Sequence, residues 1–200
     1  MTEDITVYHG LHDHLRGEAA RIYWDAFGGK LGRVLGPEPL ALAFFQRVIR
    51  SEHCFTALSA DGKLVGLAGF RTEAGSFAGG GRSDILAVYG GWGGRWRATA
   101  LGLLHSEFDP DWFLIDGICV ARDWRGQGVG TLLLKTLFTE ATSRGYPAIR
   151  LDVVDENHRA QALYQRHGFV VTRTETLGPL RHLFGFKSTT TMVRPLPKSP

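Results

Sequence analysis

The chain is poor in cysteine, with two in 200 residues, Cys54 and Cys119, each inside an apolar strand-like run. Two such cysteines make no disulfide framework and lack the Cys/His spacing of a metal site, so they read as small buried hydrophobes in a reducing cytoplasm. No apolar run approaches the ~18 residues that a bilayer-spanning helix needs, and residues 1–6 lack the positive start and apolar core of a leader. Neither export nor membrane embedding is expected. The net charge is only +3, with Lys and Arg spread along the chain rather than blocked, which gives nucleic-acid binding no support. His9, His12 and His14 lie in an N-terminal stretch read as irregular, without partnering ligands, so no metal site is expected.

What is present is ordinary for one globular unit: 44% hydrophobic and 22% charged residues in a length able to bury a full core. The expectation is a single domain over 1–200, with 195–200 as a frayed tail. Helical periodicity covers 18–27 and 39–50, whereas the glycine-rich 28–37 between them is predicted to be a loop of the kind that covers a cleft. Apolar runs at 54–59 and 63–70, joined by Ala60-Asp61-Gly62, predict an antiparallel hairpin. Further strands are expected over 113–121, 148–155, 169–177 and 187–194, with helices over 131–142 and 158–167. Residues 71–111, broken by two glycine clusters and ending in a helix-like run from 95 to 105, read either as a substrate-side insertion or as a packed excursion without chemistry. Trp92, Trp96 and Trp112 could wall an acceptor pocket or simply pack.

The most specific segment is Arg125-Gly126-Gln127-Gly128-Val129-Gly130, which opens into the apolar helical run from Thr131. Glycines there let backbone amides turn toward an anion, and the helix start adds unpaired N–H groups and the positive end of its dipole. A nucleotide-triphosphate loop requires a Lys after the last glycine, and a dinucleotide fingerprint requires a third glycine where Thr131 stands. Arg125, Gly128 and Gly130 keep the remaining spacing, which resembles the pyrophosphate loop of the GNAT acetyltransferase superfamily. A second block, from Asn157 through Ala160, Leu163-Tyr164 and Gly168-Phe169, looks like the block that follows the loop in that family. The resemblance is specific over 113–169 and loose elsewhere.

The resemblance implies an α/β (α+β) fold with a mixed, mostly antiparallel twisted sheet flanked by helices, and splayed central strands that bind acyl-CoA. It implies acetyl-CoA as acyl donor, with no metal. Backbone groups of Ile118, Cys119 and Val120 are assigned to the pantetheine arm, with an Ile118 N–H as oxyanion donor. Amides of Gly126, Gln127, Gly128, Val129, Gly130 and Thr131, with Arg125, are assigned to the pyrophosphate. Asn157 and Ala160 join the cofactor contacts, and Tyr164 takes the general-acid position beside the sulfur. From the residues alone, Asn157 suits a helix cap and Tyr164 a core aromatic.

The base stays open between two acids. Asp116 stands in an otherwise apolar strand, and strict alternation puts it on the face of Ile118, desolvated and close to the acetyl carbon. Asp152, five residues before Asn157, is the rival, and a water relay is the third route. The function implied is transfer of the acetyl group to a primary amine by direct attack in a ternary complex, the acceptor being a small molecule or a protein amine. Specificity is expected to reside in 28–37 and 71–111, and a homodimer is allowed. The alternative is a non-catalytic acyl-CoA-binding sensor that keeps the loop without needing acid or base.

Overall fold

The computed structural model describes residues 5–103, 109 and 111–197. The helix-like run expected to reach His105 therefore ends, for description, at Leu103, and the last three residues of the expected tail also lie outside the described residues. In chain order the elements are β1 (Thr6–His9), α1 (Arg16–Leu35), α2 (Glu38–Val48), β2 (Cys54–Leu58), β3 (Leu64–Thr72), β4 (Gly75–Ser76), α3 (Arg82–Tyr89), α4 (Gly91–Gly102), β5 (Phe113–Val120), α5 (Val129–Ser143), β6 (Ala148–Val154), α6 (His158–Arg166), β7 (Val170–Thr176), α7 (Arg181–Phe184) and β8 (Ser188–Pro195). The strands form one sheet in the order β1-β2-β3-β5-β6-β8-β7, with β4 paired to β3. Among the described strands β5 and β6 pair in parallel, and every other neighbour is antiparallel. This is the mixed, mostly antiparallel sheet that the resemblance implied.

Two apolar clusters load the sheet from opposite faces. Leu133, Leu134, Leu137 and Ala141 of α5 pack on Phe113, Ile115, Ile149 and Leu151, while Tyr23, Phe44 and Phe45 of α1 and α2 pack with Leu64, Leu67 and Cys119. Gly66 admits α5 to β3, because a Cβ there would stand 3.0 Å from Val129 and 3.1 Å from Leu133. A third cluster, Val34, Ala100, Val154, Phe184 and Phe186, ties the end of α1 to α4 and α7.

Three expectations are corrected. The segment 28–37 is no loop: α1 runs unbroken for 20 residues to Leu35, with Val34 and Leu35 buried. Packing outweighs the roughly 1 kcal/mol per glycine that helix propensity costs. Gly28 even serves the helix, since Trp24 lies where its Cβ would be, 2.9 Å away. The N-terminal stretch is not irregular, because β1 pairs with β2 through Thr6↔Leu58 to His9↔Phe55. Nor does the C-terminus fray at 195: Pro195 belongs to β8, and Leu196 is buried with its N–H on Pro147 O at 2.9 Å.

Candidate active site

The site is built where β5 leaves β6. Their parallel pairing covers Phe113↔Ile149, Leu114↔Arg150 and Ile115↔Leu151 and then stops, whereas β5 remains paired with β3 as far as Val120↔Gly66. Ala121 N donates to Val65 O at 2.9 Å, so by antiparallel alternation Cys119 also spends its backbone groups on β3. Ile118 and Val120 turn theirs toward the gap. Of the three residues expected to present backbone groups there, Cys119 is thus corrected to the other edge. Val120 O, in addition, already accepts from Arg125 Nε at 3.0 Å.

The glycine loop lies beyond this gap. Gly126 and Gly128 have φ of +84° and +87°, a region costly for any side chain, and Gly128 caps α5. Leu132 N closes the first helical turn on Gly128 O at 3.0 Å, so the amides of Val129, Gly130 and Thr131 precede the first intrahelical bond and are free for an anion. Arg125 on Val120 O and Gln127 Nε2 on Asp123 O (2.8 Å) brace the loop from behind. Arg159 of α6, which the sequence reading passed over, brings its guanidinium within 3.7 Å of where a Gly126 Cβ would stand. Free amides, two left-handed glycines and a neighbouring arginine fit a pyrophosphate.

Helix α6 closes the gap from the other side. Asn157 Oδ1 accepts from Ala160 N at 3.2 Å, the helix-cap role its side chain suited. Tyr164, one turn further, is 9% exposed and packs at 5.7 Å on the Phe169 ring. Burial raises the pKa of its phenol, and the nearby Cys119 adds to the rise, so the hydroxyl keeps its proton at neutral pH. Across the gap, burial depresses the Lys30 ammonium, which lies 5.4 Å over the Phe27 ring.

The two acids meet in a cavity of about 530 Å³ lined by Leu114, Asp116, Arg150 and Asp152. The alternation that put Asp116 with Ile118 fails, because a bulge intervenes. Gly69 pairs with Gly117 and Phe70 with Ile115, so Asp116 is the extra residue without a partner. Beyond it the strand changes phase: Ile118 packs with the α5 cluster, and Asp116 turns to the opposite face. Its Oδ2 accepts from Ser76 Oγ (2.5 Å) and Phe77 N (3.0 Å), and its Oδ1 stands 3.4 Å from Arg71 Nε. Asp152 accepts from Thr191 Oγ1 at 2.6 Å and faces Arg150 Nη2 at 3.3 Å. Ser76, Arg71 and Arg150 carried no motif, and strand register brings them here. Among the described residues no group of three or more His, Cys, Asp or Glu side chains could hold a metal ion.

The sequence model of the acetyltransferase (GNAT) family matches residues 18–169, a stretch that contains the gap, the loop and α6. The chain belongs to this family. This GNAT protein is 38% identical over 84 residues to the probable N-acetyltransferase camello of Xenopus tropicalis, a match covering 42% of this chain and 38% of that one. It is 41% identical over 63 residues to the mycothiol acetyltransferase of Jonesia denitrificans, over 29% of this chain and 20% of that one. Such matches span well under half of those relatives. The fold is shared at full length with a structure titled histone acetyltransferase HPA2 and related acetyltransferase, from Corynebacterium glutamicum, at 20% identity and a TM-score of 0.68 over 98% of both chains. The ribosomal-protein-S18-alanine N-acetyltransferase of Escherichia coli gives 19% identity and 0.61, over 98% of this chain and 97% of that one.

Proposed function

We propose that this GNAT protein acts as one catalytic unit that transfers the acetyl group of acetyl-CoA to a primary amine by direct attack in a ternary complex. The observation that carries the reading is the unpaired edge of β5 at Ile118 and Val120, with free loop amides at one end, a proton-bearing Tyr164 beside it and an acid-lined cavity on the opposite face. A pantetheine arm lying along that edge directs its thioester toward Asp116. The Ile118 N–H then faces the developing oxyanion. The amine nitrogen forms its bond to the carbonyl carbon and gives a proton, through water, to Asp116 Oδ1. The C–S bond breaks as Tyr164 gives its proton to the departing thiolate. Asp152 is the second candidate for the base.

One observation favours the sensor reading instead: both carboxylates already hold protein donors. Two assays on the same protein separate the readings. Acetyl-CoA at ~100 times its dissociation constant adds about 2.7 kcal/mol of stability, and Gly128→Val removes that shift by blocking the cradle. An acceptor screen that reads free thiol should then show turnover. A shift without turnover on any amine leaves the sensor standing, and no shift at all overturns the donor site.

A further inference from the structure

We infer that the acceptor is a small zwitterion, an amine that also carries a carboxylate, seated with its carboxylate on Arg150 and its amine toward Asp116. The inference rests on the acyl-transfer reading and narrows its substrate.

The cavity wall carries three arginines, Arg71, Arg150 and Arg173, and three acids, Asp116, Asp152 and Glu175. Three positive charges against three negative ones leave it neutral. They stand in pairs: Arg71 of β3 with Asp116 of β5 (3.4 Å), Arg150 with Asp152 on β6 (3.3 Å), and Arg173 with Glu175 on β7. A diamine entering such a wall brings two positive charges and finds no surplus acid. A dianion meets the converse deficit. A zwitterion adds one charge of each sign and is accommodated by exchanging partners within the existing pairs.

Arg150 is the place for the anion because its pairing is incomplete. It carries five N–H donors, yet its one acceptor among the described residues is Asp152, reached through Nη2 at 3.3–3.4 Å, and its buried Nε has no partner. Asp152 depends on it little, since Thr191 Oγ1 donates to the same carboxylate at 2.6 Å. An entering carboxylate therefore gains a guanidinium with donors to spare, and a planar two-pronged contact is the geometry that guanidinium favours. Arg150 pairs with Leu114 across the β5–β6 ladder, and Asp116 stands two residues further along β5. Both side chains line the same cavity of about 530 Å³, so the amine and the carboxylate of one small molecule can face them together.

The test uses matched acceptors that differ in the carboxylate: leucine against leucinamide, lysine against 1,5-diaminopentane, and alanyl-leucine against its amide. With acetyl-CoA saturating, kcat/KM should favour the carboxylate member by about tenfold or more, the worth of a good charged contact. In Arg150→Gln the preference should collapse through KM, and Arg150→Lys should restore part of it. A persisting acetyl-CoA thermal shift certifies the fold of both variants. Equal or better rates for the carboxylate-free members, or a preference that survives Arg150→Gln, overturns the inference. Calorimetry of the same acceptors on the CoA-saturated protein separates the two levels. Leucine or alanyl-leucine binding that is lost in Arg150→Gln, without turnover, upholds the zwitterion site and sinks the transfer reading, whereas absence of binding and of turnover overturns the inference.

Discussion

Tyr164 shows how far a single side chain could be read in advance. Its place in the Leu163-Tyr164 block suggested a general acid and its helical phase a core aromatic; the structure buries the ring in the α5 cluster, and burial keeps the phenol protonated. Tyr164→Phe keeps the ring packed on Phe169 and removes the proton. Turnover should fall by ~100-fold or more while acetyl-CoA affinity, measured by calorimetry, stays put. Because the phenol pKa is raised, Tyr164 remains the proton-bearing form well into alkaline pH, so it should impose no loss of rate between pH 7 and 9. Unchanged turnover in the Phe variant would leave the residue a role in packing alone.

Asp116 is the residue that the sequence placed on the wrong face. Alternation assumes an unbroken ladder, and a bulge leaves no mark in the residue pattern beyond Gly117. Asp116→Asn keeps an oxygen for Ser76 Oγ and Phe77 N but cannot take up the ammonium proton. It should fold, bind acetyl-CoA and lose most of its rate at neutral pH, by roughly the 100-fold or more typical of a general base. Asp152→Asn keeps the Thr191 contact and should be the milder change. Steady-state rates decide, and greater damage from Asp152→Asn would move the base to β6.

At the scale of elements, strands were legible and glycines misled. The β2–β3 hairpin, the strand before the loop and the β7–β8 pair follow from apolar runs and turn residues, which act locally. Helix α1 does not follow from local preference, because Gly28, Gly29 and Gly32 argue against a helix that burial of Tyr23, Val34 and Leu35 enforces. The same glycines offer a test. Nothing lies within 4 Å of a Cβ added at Gly29, whereas at Gly28 it would meet the Trp24 ring at 2.9 Å. Gly29→Ala should stabilise the protein by about 0.5–1 kcal/mol, which raises Tm by about 1–4 °C in a chain of this size. Gly28→Ala should gain less or lose stability as Trp24 is displaced. A calorimetric scan in which the two variants behave alike would contradict the packing of Trp24 on this helix.

Across the whole molecule, the two faces of the sheet are unlike in a way that composition does not announce. One is filled by α5, and the other is shared between α1, α2 and a charged cavity over the β6–β7 side. The loop and the block from Asn157 to Phe169 were readable because their chemistry is contiguous in sequence, whereas the cavity draws Arg71, Asp116, Arg150 and Arg173 from four strands and exists only through register. The interior between these faces holds four deeply buried weak acids. Burial pushes the thiols of Cys54 and Cys119 up to about 12 from 9.0, and it raises the phenols of Tyr23 and Tyr164 from 10.0. The folded protein thus holds protons that the unfolded chain releases, so unfolding becomes easier as pH rises. Their contribution is fully present below about pH 9 and is lost progressively above it, with the thiols first and the phenols from about pH 10. Each group fully ionised in the unfolded chain and still protonated in the folded one subtracts up to about 1.4 kcal/mol per pH unit. Urea midpoints should therefore be level from pH 7 to 8.5 and fall steeply beyond pH 9.5. Cys54→Ala with Cys119→Ala should shift the onset of that fall toward pH 10. A flat profile through pH 10.5 would mean that these groups meet solvent.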